Sequence, residues 1–381
     1  MKVVVFGAGR MGYGVVYDLI YNSGVESVMV ADRFLDKAMA VVNKIGSKKV
    51  CACQVDVSNS EEVTKLMKDY DVAVSCVDYW HNLRLSEAAI EAGTHFCDLG
   101  GNIFVVERQL RLNEKAKQAG VSVIPDCGLA PGMVSILAVH GAKDFDKIEK
   151  IHIRVGGLPQ NPKPPLNYQL VYSVEGLINE YVEPARVIRN GQIVEIPSMT
   201  EVEEIYFEGF PPLEAFQTSG GTSTLPETFF GKVEELDYKT IRYAGHCEKF
   251  KTMIDLGLCS NEPLTIDGQR IVPRAFFTRL LEKKLPCDEP DLVLVRLDFI
   301  GEKDNKKKHL RYEIVDRFDE ASGLSAMMRT TSFPASIIAQ MMAKGEVTER
   351  GVTPQEKVID AEKFIAEMEK RNIKMKKILL G

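Results

Sequence analysis

The apolar run KVVVF (2–6) leads directly into GAGRMG (7–12) and then into a helix-like stretch. No other feature restricts the fold so tightly. In a G-x-G-x-x-G turn each glycine has its own reason. Gly7 permits the sharp bend, Gly9 lets a pyrophosphate approach the backbone, and Gly12 lets the helix pack close to the strand. The helix start, with Arg10 and Met11 in its first turn, offers N–H groups and a partial positive charge to phosphates. Asp32, twenty residues past Gly12 and at the end of the second apolar run, can accept hydrogen bonds from ribose hydroxyls and repel a 2′-phosphate. NAD is therefore expected, and Arg33 beside it leaves NADP open. The plain alternative is an ordinary glycine turn.

The rest of the first 125 residues supports the dinucleotide reading. Apolar runs at 2–6, 27–32, 49–56, 71–77, 94–100 and 121–126 alternate with helix-like stretches at 10–22, 34–45, 60–69, 82–93 and 104–119. Continuous apolar strands between amphipathic helices predict a doubly wound parallel sheet, a Rossmann domain within an α/β fold. Ligands in such sheets lie at the carboxyl ends of the strands. The expected cofactor contacts are therefore Asp56 and Val57 after the third run and Ser75, Cys76 and Val77 after the fourth. Asp98 and Cys127 extend the set at the fifth and sixth. Each could instead be a strand end without a ligand.

From about residue 150 the pattern changes to short strand-like runs broken by turn signals such as Asn190-Gly191 and Asp267-Gly268, with helices near 173–181, 246–257 and 273–284. This predicts an α+β catalytic domain over 126–332 with a mainly antiparallel sheet. The closing stretches 333–344 and 357–372 read as helices.

Bulk properties narrow the function. A chain of 381 residues exceeds one ordinary core. Its net charge of −6 does not suit a nucleic-acid partner, and no apolar run is long enough for a membrane span. Met1 opens into a strand with no signal-peptide pattern, so a cytoplasmic location is expected. The eight cysteines are scattered with no CxxC pair, as buried reduced thiols would be, and no metal site is expected.

Three places in the second half and at its edge carry candidate chemistry. PDCGLAPGM (125–133) puts Asp126 at a strand end before a helix, either as an acid beside the nicotinamide or as a cap. TSGGTSTLPET (218–228) sets Gly220, Gly221 and Thr222 in a loop that can approach a small ligand closely, or in a plain surface loop. In YKTIRYAGHCEK (238–249), alternation puts Thr240, Arg242 and Ala244 on one face. Arg242 there suits bidentate capture of a carboxylate, or a salt bridge. His246 follows at a helix start as a proton carrier or a cap. Tyr243, Glu175 and Tyr181 are weaker candidates for substrate contact, explained equally by packing and surface charge.

These residues, together with VGGLPQNPKPPLNYQ (155–169), ARVIRNG (185–191), LEAFQTSGGTSTL (213–225) and SFPASIIAQMMAKGEVTERGV (332–352), resemble the saccharopine dehydrogenase-like superfamily, within it the lysine 6-dehydrogenase group. The resemblance runs nearly end to end. It implies NAD-dependent oxidative deamination of L-lysine at the ε-carbon. Ammonia and 2-aminoadipate 6-semialdehyde would be the products, and the semialdehyde would then cyclise to piperideine-6-carboxylate with loss of water. It also implies a C-terminal helix that returns to the first domain, and a homodimer. Arg242 would take the substrate carboxylate, with Gly221 and Thr222 helping, and Asp126 or His246 would carry protons. A saccharopine dehydrogenase or reductase acting on a related amino acid is the nearest alternative, and a non-catalytic NAD(H)-sensing protein is a second.

Overall fold

The computed structural model describes residues 1–380. The chain forms two compact units, Met1–Lys143 with Met328–Met375, and Asp144–Met327 with the residues from Lys376 onward. Residues 126–143 thus belong to the first unit. Among the described residues no helix is long and apolar enough to cross a membrane.

In the first unit the valine-rich runs become strands because both sheet faces are covered: β1 (Lys2–Phe6), β2 (Ser27–Asp32), β3 (Val50–Gln54), β4 (Val72–Ser75), β5 (His95–Asp98) and β6 (Ser122–Ile124). They run parallel in the order β6-β5-β4-β1-β2-β3, and a short strand Gly351–Val352 extends the β6 edge. Val4, Phe6, Ala73, Phe96 and Val123 share one buried cluster. The winding reverses between β1 and β4, which opens the crevice where doubly wound sheets hold ligands.

Two helical expectations are corrected. The stretch read as one helix at 104–119 is two, Ile103–Leu110 and Asn113–Gln118. The break buries Leu112 in the core and lets Asn113 Oδ1 accept from Val352 N at 3.0 Å. The tail helix begins at Ala326 rather than 333 and continues through Pro334 to Ala343. Its Ser332 hydroxyl donates to the Met11 carbonyl at 2.9 Å, and a Cβ on Gly14 would strike that serine. Arg371 Nε then donates to the buried Asp18 at 2.6 Å, so the C-terminal residues close over the first helix, Arg10–Tyr21.

The second unit is built on a mostly antiparallel sheet. Its strands are β7 (Lys147–Pro159), β8 (Ala185–Arg189), β9 (Gln192–Ile196), β10 (Glu203–Ile205), β11 (Leu213–Gln217), β12 (Glu235–Tyr243), the small hairpin β13 (Leu264–Ile266) and β14 (Gln269–Ile271), β15 (Asp291–Lys303) and β16 (Lys306–Arg317). The path runs β10-β11-β12-β7-β15-β16, closed by Lys376–Leu379, with only β12 and β7 parallel. Asn190-Gly191 and Asp267-Gly268 form the expected turns, all four residues with positive φ. The helices Val174–Val182, His246–Asp255 and Pro273–Lys284 cover one face through Leu177, Ile178, Tyr181, Phe250 and Phe277. The alternation of β12 therefore decides which of its side chains meet these helices.

Candidate functional site

The glycine turn is assembled as its spacing requires. Gly7 has φ +99°, and its N–H donates to Ala31 O at 2.8 Å. A Cβ there would lie 2.7 Å from the Cys76 carbonyl oxygen, and one on Gly12 would overlap the Gly7 carbonyl oxygen. Around Gly9 a Cβ would meet nothing within 4 Å, and the helix starting at Arg10 has no side-chain cap. The backbone is thus crowded on two sides and open on the third, which fits a pyrophosphate at a helix start. Asp32 locks the turn: its carboxylate accepts from Ala8 N at 2.8 Å and Phe34 N at 2.9 Å. Arg33 is exposed, stacked 4.7 Å over the Phe34 ring.

The other expected cofactor residues divide. Cys76 and Val77 border the turn at the carboxyl end of β4. Ser75 is buried, with its hydroxyl on Asn82 Oδ1 at 2.8 Å. Asp56 is exposed and accepts from Ser58 N and Oγ, bonds that hold its carboxyl below the usual range, while Val57 leans on the core. Asp98 is fully buried and acts as a post for the loops leaving β5 and β6: it accepts from Gly100 N at 2.8 Å, Asp126 N at 3.2 Å and Gln109 Nε2 at 2.7 Å. Burial raises its pKa. Cys127 is also fully buried, its thiol on Ile124 O at 3.3 Å. Asp126 itself is buried with φ +62°, its carboxyl packed over Gly100.

Of the eight free thiols, Cys51 and Cys287 are exposed, against the expectation that all are buried; Cys51 lies on the edge strand β3. Among the described residues no group of three or more His, Cys, Asp or Glu is arranged to hold a metal ion.

In the second unit, β12 turns Arg242 toward the helices, and the residue is buried. Its Nε donates to the Tyr181 hydroxyl at 2.8 Å and its Nη1 to Ile241 O at 3.0 Å. The guanidinium carbon lies 4.8 Å from the Tyr168 ring centroid. No carboxylate of the described residues pairs with it. The other face of the same strand behaves differently: Asp237 pairs with Arg154 at 2.7 Å and Arg189 at 2.8 Å, and Lys239 with Glu203 at 2.8 Å.

His246 continues the Arg242 chain. Its Nδ1 lies 3.0 Å from Leu166 O and its Nε2 3.1 Å from the Tyr181 hydroxyl. Since Arg242 donates to Tyr181, the phenol donates onward to Nε2, and Nδ1–H donates to Leu166. Burial, then the Arg242 charge, lowers the imidazole to about 3, so the ring is neutral. Both nitrogens are engaged within the protein, and His246 orients Tyr181. It does not cap its own helix. Glu214, reaching from β11, does so by accepting from Gly245 N at 2.9 Å and Cys247 N at 2.6 Å.

The glycine loop packs beside this chain. A Cβ on Gly221 would overlap the Tyr238 ring, while Gly220, at φ +85°, has open space. Thr222 donates to Arg186 O at 2.9 Å, so its hydroxyl serves the loop. Tyr243 points to the opposite face from Arg242, its hydroxyl on Pro159 O at 2.7 Å within a separate apolar cluster. Ala244 lies beyond the strand, and Glu175 is an exposed partner of Arg274. Sequence reasoning missed Tyr168, Tyr172, Glu180 and Tyr238. Glu180 accepts from the Tyr172 hydroxyl at 2.7 Å, and burial lifts its carboxyl to about 7. The one sequence cue for it was its place beside the inward-facing Tyr181.

Comparison with known proteins covers both units. Residues 3–124 match the model of the saccharopine dehydrogenase NADP binding domain, and residues 128–373 that of the saccharopine dehydrogenase C-terminal domain. The L-glutamate-forming, NADP(+) saccharopine dehydrogenase of Schizosaccharomyces pombe is 24% identical over 81% of this chain and 70% of its own length. The carboxyaminopropylagmatine dehydrogenase of Synechocystis is 23% identical over 100% of this chain and 98% of its own. Apo saccharopine dehydrogenase (L-Glu forming) from Saccharomyces cerevisiae superimposes with a TM-score of 0.82 at 20% identity, covering all of both chains. That likeness shows the fold.

Proposed function

Because this chain belongs to the saccharopine dehydrogenase family, we propose that it is an oxidoreductase that removes hydride from the ε-carbon of L-lysine, with NAD as acceptor and release of ammonia. The carrying observation is Arg242, a buried cation that no carboxylate among the described residues pairs, beneath a wall of tyrosines. A buried charge without an ionic partner is costly, and a ligand carboxylate would remove that cost.

The turn Gly7–Gly12 would hold the pyrophosphate, and Asp32 the ribose. A bound nicotinamide supplies the hydride acceptor. The chain's own residues do the rest. Arg242, oriented by Tyr181 and through it by His246, takes the carboxylate by the guanidinium N–H groups left over from its bonds to Tyr181 and Ile241. Gly220 and Gly221 keep two positions of the neighbouring loop free of side chains. The ε-ammonium must lose a proton before hydride can leave its carbon, and water must then add to the resulting iminium for the carbon–nitrogen bond to break and ammonia to leave. With both nitrogens of His246 engaged, Asp126 at the end of β6 is the proposed acceptor.

A second reading, oxidation of saccharopine with NADP, is supported by the name of the first-domain model and by the exposed Arg33 beside Asp32, which suits a 2′-phosphate. Against it, saccharopine carries three carboxylates, and Arg242 is one buried arginine. The deciding experiment follows reduction of NAD⁺ and of NADP⁺ by purified protein with L-lysine, saccharopine and other amino acids. Lysine with NAD⁺ should give the highest kcat/KM; a higher value with saccharopine transfers the assignment, and dinucleotide binding without any turnover supports a sensing protein.

A further inference from the structure

The inference rests on the amino-acid reading above and concerns which groups recognise the substrate's α-carbon end. The helix Val174–Val182 turns Val174, Leu177, Ile178 and Tyr181 into the apolar cluster. Glu180, the next residue on the flank, is carried to the margin of the same cluster and remains partly exposed. Its carboxylate is held by the Tyr172 hydroxyl. Arg242 reaches the same region from the sheet, held by the Tyr181 hydroxyl and stacked on Tyr168. The two charges act on one another, and Tyr168, Tyr172, Tyr181 and Tyr238 feel one or both of them.

Yet Arg242 and Glu180 form no ion pair with each other or with any other described residue. Opposite charges that share a low-dielectric site gain most by contact. On the reverse face of β12 that contact is made three times over. Here separate phenols, on separate elements, hold cation and anion apart. An α-amino acid presents the complementary pair, a carboxylate and an ammonium on one carbon.

We propose that Arg242 and Glu180 together read the α-amino-acid head of the substrate, Arg242 taking the carboxylate and Glu180 the ammonium, with the tyrosine rings walling the site. Glu180 is then a specificity-determining residue. It rejects ω-amino acids and diamines that lack one half of the head, because these would leave a desolvated charge unmatched.

Calorimetric titration of the full chain tests this with L-lysine, L-norleucine, 6-aminohexanoate and cadaverine. Norleucine keeps the head and lacks the ε-amine, so its binding does not depend on any lysine oxidation. Lysine and norleucine should bind, with 6-aminohexanoate and cadaverine weaker by about 10-fold or more. Glu180→Gln, close to isosteric, should weaken lysine and norleucine by roughly 10- to 100-fold and leave 6-aminohexanoate unchanged. Tyr172→Phe should weaken the same two ligands by less, with the same pattern. Equal loss for all ligands in Glu180→Gln, or none, overturns the proposal. Should Glu180→Gln fail to fold, the Tyr172→Phe pattern decides. Norleucine binding without lysine turnover would sink ε-deamination and leave the head recognition standing.

Discussion

Strand β12 carries two buried faces that treat charge in opposite ways. On one, Asp237 and Lys239 are enclosed in ion pairs with Arg154, Arg189 and Glu203. On the other, Arg242 meets, among the described residues, phenols, an imidazole through one of them, and a backbone carbonyl. The first face uses charge to hold β7, β8, β10 and β12 in place. The second leaves its charge without an ionic partner among the described residues, the place the proposed substrate carboxylate would fill. Burial alone therefore does not single out a candidate site residue; burial without an ionic partner, within a frame that fixes orientation, does.

The contrast makes graded predictions. Asp237→Ala should have the largest effect on folding, since it deprives the buried Arg154 and the half-buried Arg189 of that partner; a loss of about 3–5 kcal/mol is expected in urea denaturation. Arg242→Ala should cost far less stability but raise the lysine KM by about 100-fold, with the NAD KM changed by less than about twofold. A comparable stability loss with unchanged lysine kinetics would make Arg242 a structural residue like its neighbours.

The third prediction concerns pH. The His246 pKa falls from 6.5 when unfolded to about 3 when folded, so the unfolded chain takes the proton first. Stability is then lost as pH drops below about 6.5, at roughly 1 kcal/mol per pH unit. Glu180 pulls the other way, because its carboxyl rises from 4.5 to about 7 and the folded chain keeps the proton longer. Its contribution favours folding below pH 4.5 and fades as pH climbs to about 7. Denaturation midpoints at several pH values should show His246→Gln removing the acid-side loss and Glu180→Gln removing the opposing trend. The smallest effect is expected from Tyr243→Phe, which loses one hydrogen bond on the ion-paired side: about 1 kcal/mol of stability and no change in lysine KM.

Legibility divided along similar lines. The dinucleotide turn could be read from six adjacent residues, because every role in it is backbone geometry enforced by the absence of a Cβ. The strands of the first unit were legible for a related reason: a sheet covered on both faces demands unbroken apolar runs. Arg242 could be singled out by alternation along its strand, and Tyr243 could be placed on the other face by the same rule. Asp98 could not be told from a ligand contact, since a strand-end acid that braces two loops has the same sequence surroundings as one that meets a ribose. The passage of the tail helix through Pro334 was hidden because proline most often marks a helix's first turn.

The sequence by itself determined the parallel dinucleotide domain, the antiparallel character of the second and the face on which Arg242 lies, since periodicity and glycine spacing are local properties of the chain. Only the tertiary structure decided that Tyr168, Glu180, Tyr181 and His246 gather around that arginine and that no carboxylate among the described residues pairs with it. Those side chains come from separate elements, and whether a buried charge finds a partner depends on how the elements pack.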